Sequence, residues 1–152
     1  MTRLLFAAAL VLAASSVQAT TYRAGSLEVA QAWSRPAVAG TNGVGYLTLF
    51  NAGKFADALV KVESSLAARV EMHSSSMTGG VMSMKPEPRV AIAAGGNTVF
   101  GPGSYHLMLI GLTKTTKAGD QIPATLMFAS GAKLKVAFSV GMIAPATERT
   151  RH

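Results

Sequence analysis

The chain has 152 residues, 49% of them hydrophobic, no cysteine and a formal charge of +7. Enough Val, Leu, Ile and Phe is present to fill one core, which must hold without disulfides, and no thiolate is available for a metal or a nucleophile. Lys54, Lys61, Lys85, Lys114, Lys117, Lys133 and Lys135 are dispersed rather than clustered, which argues against nucleic-acid binding and for a solvated basic surface.

The chain opens with one positive charge at Arg3, an apolar run from Leu4 to Ala14 and small residues ending Val17-Gln18-Ala19. This pattern is that of a secretory signal peptide (residues 1–19) cut after Ala19. No later segment approaches the ~20 continuous apolar residues of a membrane span, so an exported protein with no transmembrane segment is expected. Removing 19 of the 152 residues leaves 133, which suits one domain, expected over residues 20–142, with a polar tail over 143–152.

From Leu27 onward the sequence is a series of short alternating apolar runs, the pattern of an all-β sandwich or barrel. Strands are expected at Leu27–Trp33, Gly45–Asn51, Ala58–Glu63, Ala68–Ser74, Val81–Lys85, Val90–Ile92, Asn97–Phe100, Tyr105–Leu112, Gln121–Phe128 and Lys133–Val140. Between them stand Asn51-Ala52-Gly53, Thr78-Gly79-Gly80, Gly101-Pro102-Gly103, Ala118-Gly119-Asp120 and Ser130-Gly131-Ala132, residues that favour turns. The last two strands read as a hairpin around Ser130-Gly131.

The chemistry sits on three of these strands. His106 and Met108 alternate onto one face of a strand. Upstream, Met72-His73 and Met82-Ser83-Met84 flank the turn at Thr78-Gly79-Gly80. A two-residue Thr78-Gly79 turn would put His73 opposite Met84, and a Gly79-Gly80 turn would put His73 opposite Pro86. Neutral imidazole and soft thioether donors without thiolate or carboxylate favour Cu(I) over zinc or magnesium. Taken singly, these residues read otherwise: a lone His as a hydrogen-bonded core or rim residue, Met108 as a gap-filler, Met82 and Met84 as interior apolar groups. Met72 is expected on the face opposite His73, Met77 in the turn as a mobile auxiliary sulfur, Met127 and Met142 as structural, and His152 as a solvated terminal residue. Glu71 reads as a solvated neighbour or a support for His73 rather than a general base.

His73, ten residues, Met84, twenty-one residues, His106-Leu107-Met108 resembles the His-(Met)-x10-Met-x21-His-x-Met motif of the periplasmic copper chaperones called PCu(A)C. The similarity extends through Gly79-Gly80-Val81-Met82-Ser83-Met84 and Pro102-Gly103-Ser104-Tyr105-His106 to Gly119-Asp120-Gln121-Ile122-Pro123, from about Leu27 to Val140. The resemblance implies a cupredoxin-like (Greek-key) β-sandwich that holds Cu(I) through His73, Met84, His106 and Met108. It also implies a periplasmic carrier delivering copper to the copper A site of cytochrome c oxidase, with subunit II or a Sco-like protein as exchange partner; a monomer is expected. A blue-copper electron carrier would need a Cys thiolate. A hydrolase would need an elbow or metalloprotease motif that the chain lacks. An exported structural or adhesive sandwich without metal is the remaining alternative, and it leaves the His/Met spacing to chance.

Overall fold

Among the described residues the short apolar runs separated by turn residues become strands. The computed structural model describes residues 20–145, so the expected signal peptide and residues 146–152, including His152, lie outside the described residues. The strands are β1 (Tyr22–Ala24), β2 (Leu27–Ser34), β3 (Gly43–Asn51), β4 (Asp57–Glu63), β5 (Ala67–Thr78), β6 (Val81–Pro86), β7 (Val90–Ile92), β8 (Asn97–Phe100), β9 (Tyr105–Leu112), β10 (Gln121–Phe128) and β11 (Lys133–Val140). Among the described residues there is no helix, and hence none long and apolar enough to cross a membrane.

The hydrogen-bonded order is β6-β5-β9-β8-β3-β2-β11-β10-β4-β7, with the parallel contact of β2 with β11 at Trp33–Ser139 and Ser34–Val140 joining the two halves. The sheet folds over to make a sandwich. Leu107 and Leu109 of β9 share one core with Ile122, Leu126, Val136 and Phe138 of β10 and β11. A Cβ at Gly45 would stand 3.2 Å from the Phe138 ring and 3.3 Å from the Leu107 Cβ, so glycine is what lets β3 pack this closely. Each fully buried Leu, Ile or Phe stabilises the fold by roughly 1.5–3 kcal/mol, which is how a chain without cysteine holds two layers together.

Three elements differ from the sequence-based expectation. β1 escaped it because three residues are too few to show alternation; it is held by pairing with β2 and by the Tyr22 hydroxyl, which donates to the Ala137 carbonyl at 3.2 Å. β5 runs four residues past Ser74, so Met77 belongs to a strand and not to a turn. The third difference is register. Thr78 pairs with Val81 and His73 with Pro86, so Gly79-Gly80 is the central pair and the Thr78-Gly79 turn does not form. The physical reason is backbone sign: Gly79 and Gly80 have φ of 59° and 79°, the left-handed pair that a tight hairpin turn requires and that β-branched Thr78 adopts poorly.

Candidate metal centre

β5 and β9 are antiparallel neighbours whose register sets His73 directly opposite His106. Met72, one residue earlier, faces Leu107, and both are buried in the core. Alternation therefore turns the two imidazoles together onto the other face of the sheet, where their ring centroids lie 5.6 Å apart at an interplanar angle of 64°. The His73 side chain is 14% exposed and His106 5%.

Hydrogen bonding assigns each ring a tautomer. His106 Nδ1 lies 3.2 Å from the Ser104 carbonyl oxygen, which only accepts, so Nδ1 carries the proton and Nε2 is a bare lone pair. His73 Nε2 lies 2.9 Å from Glu71 Oε2; the carboxylate accepts, so Nε2 carries the proton and Nδ1 is bare. Those two bare nitrogens, His73 Nδ1 and His106 Nε2, are the buried side-chain polar atoms without a hydrogen-bond partner among the described residues. A buried unsatisfied polar atom costs about 1–3 kcal/mol. Two of them on paired residues of adjacent strands leave two donor atoms free for a ligand that the protein's own groups do not supply.

The methionines flank this pair on opposite sides. Met108 follows His106 by two residues on the same face, between Glu71 of β5 and Val44 of β3. Met84 pairs with Ser75, so it shares the face of His73 but stands on the diagonal rather than directly opposite. Diagonal neighbours are about 7–8 Å apart, and their Cβ atoms somewhat closer, within reach of a long flexible side chain. Met84 and Met82 are each 54% exposed, which overturns the alternative that they fill the interior. Met142, expected to be structural, is 73% exposed.

A charged group braces the centre from one side. Glu71 bridges His73 and Arg69, whose Nε donates to Oε1 at 2.8 Å. The Arg69 hydrogen bond first, and the His73 bond second, hold the Glu71 carboxyl below its ordinary range. Arg69, Glu71 and His73 alternate along one strand, a spacing readable in the sequence. Arg69 and the Ser104 carbonyl were nevertheless missed, because neither is a ligand type and the Ser104 bond depends on backbone geometry.

The family model described as "Putative lipoprotein LpqE-like" matches residues 27–140. The chain is 30% identical over 135 residues to "Putative lipoprotein Lxx21020" of Leifsonia xyli subsp. xyli (strain CTCB07), covering 88% of this chain and 81% of that protein. Among solved structures, the copper-bound PCuAC domain from PmoF2 superposes with a TM-score of 0.68 at 20% identity, covering 80% of this chain and 97% of that one. The Cu(I) form of DR1885 from Deinococcus radiodurans matches at a TM-score of 0.55 and 28% identity, covering 70% of this chain and 75% of that one. The sandwich is thus of the cupredoxin-like kind. Matched from β2 to β11, the chain belongs to the LpqE-like family and shares its fold with PCuAC domains.

Proposed function

We propose that this protein is a Cu(I) carrier, a copper chaperone and not an enzyme, that holds its ion through His73, Met84, His106 and Met108. The observation that carries the reading is the pair of buried ring nitrogens without a partner, His73 Nδ1 and His106 Nε2, on residues set opposite one another in adjacent strands. Thioethers of Met84 and Met108 on the same face complete a neutral N2S2 set, and such soft donors favour Cu(I). The matches to a copper-bound PCuAC domain and to Cu(I)-DR1885 support it.

Exposure suggests how the ion is released. The four donors are neutral, so the bound ion keeps its single positive charge and exchange needs no proton transfer. Met84, on an open hairpin, is the donor that an incoming thiolate or thioether of an acceptor replaces first. His106, 5% exposed, lets go last. We further propose that the protein works in the periplasm after cleavage at Ala19, delivering copper to the copper A site of cytochrome c oxidase through subunit II or a Sco-like protein.

Anaerobic titration with Cu(I) against a competing chelator tests the carrier reading. Stoichiometric binding is expected in the wild type and lost in His73→Ala and in Met108→Ala; unchanged binding in both variants refutes the assignment.

A further inference from the structure

The β5–β6 hairpin carries two methionines that the four-donor centre does not use. Met77 and Met82 are paired directly across the hairpin, one step from the turn, and are 65% and 54% exposed. Alternation and register put His73, Ser75 and Met77 of β5 on one face together with Pro86, Met84 and Met82 of β6. The opposite face presents Ser74, Ser76 and Thr78 of β5 with Val81, Ser83 and Lys85 of β6. There the Ser76 and Ser83 hydroxyls are bonded at 3.0 Å and Ser74 donates to Glu87 at 2.7 Å. The hairpin's three thioethers, Met77, Met82 and Met84, thus gather on one face. Every residue of β6 is exposed, so core filling does not account for the thioethers.

We propose that Met77 and Met82 form an outer Cu(I) site at the hairpin tip, from which the ion passes by way of Met84 to His73 and His106. Directly opposed side chains have Cβ atoms about 4.5–5.5 Å apart, and two long, flexible thioethers at that spacing converge readily on one soft ion. Met84 lies two residues from Met82 on the same face, about 6.8 Å along the strand, and is diagonal to both Met77 and His73. It therefore reaches toward either position. In the transfer a Cu–S bond to Met84 forms before a Cu–S bond to Met77 or Met82 breaks; the ion stays Cu(I), and no proton or electron moves.

The inference rests on the copper-carrier reading for the identity of the ion, and the experiment separates the two. The full chain is titrated anaerobically with Cu(I) against a chromophoric chelator as wild type, as Met77→Leu/Met82→Leu, and as His73→Ala/His106→Ala. Leucine keeps the apolar bulk and removes only the sulfur, and circular dichroism confirms that each variant is folded. The wild type is expected to take a second, weaker equivalent, which the double-Leu variant loses while keeping the tight one. A wild type that stops at one equivalent, or a double-Leu variant that still takes two, overturns the outer site. In the double-Ala variant, survival of the weak equivalent alone supports it. Tight binding that persists there refutes the inner assignment instead.

Discussion

His106→Leu exchanges a polar ring for an apolar side chain of similar size at the most enclosed position of the centre. Removing the orphaned Nε2 returns about 1–3 kcal/mol. Against this stand the lost Nδ1–H bond to Ser104, 3.2 Å long and worth about 0.5–1.5 kcal/mol, and an imperfect fit of up to about 1.5 kcal/mol. The Ser104 carbonyl is not stranded, because it keeps the Ser75 amide as donor at 3.1 Å. The opposing contributions cancel to within about 2 kcal/mol, whereas Leu107→Ala next door, in the core, should cost about 2–5 kcal/mol. Urea unfolding of the metal-free variant should therefore show a midpoint close to wild type at unchanged slope. With free Cu(I) at about 100 times the dissociation constant, the wild type should gain about 2.7 kcal/mol and the variant almost nothing. A metal-free loss above about 3 kcal/mol would mark His106 as a structural residue, beyond what these contributions allow, and an equal gain from copper would remove it from the site.

Glu71→Ala should weaken Cu(I) affinity by roughly 10–100-fold, as loss of a ligand's supporting hydrogen bond does; chelator competition measures the affinity, and nitrogen NMR should show His73 no longer holding its proton on Nε2. Gly79→Ala places a side chain at φ 59° and should cost about 1–2 kcal/mol, read as a lowered urea midpoint. Asp57 lies below its ordinary pKa of 3.8: burial raises it, but hydrogen bonds from Ser130 and Ala58, with Arg89 nearby, outweigh that effect. Its stabilising contribution is complete above that value and is lost as pH falls through the lower folded pKa. Asp57→Asn should thus flatten the stability profile between about pH 5 and about pH 2; an unchanged slope would show that the interaction contributes nothing.

The sequence made some parts of this site easy to read and hid others. Within β9 the period of two is enough to put His106 and Met108 on one face, and the same rule sends Met72 away from His73 into the core, where it lies. The opposition of His73 and His106 is different in kind. It depends on which strand neighbours β5 and in what register, and no local pattern encodes a pairing between residues 33 positions apart. The hairpin register turned on a single residue, decided by the two glycines that adopt positive φ. The Arg69-Glu71-His73 run is visible as alternation once His73 is taken as a site residue; the tautomers it imposes require the hydrogen bonds themselves.

X-ray absorption on the protein loaded with a single equivalent of copper tests the central claim most directly. A Cu(I) edge with a mixed shell of two nitrogen and two sulfur scatterers, from His73, His106, Met84 and Met108, is the expected result. A shell of nitrogen and oxygen alone would contradict it.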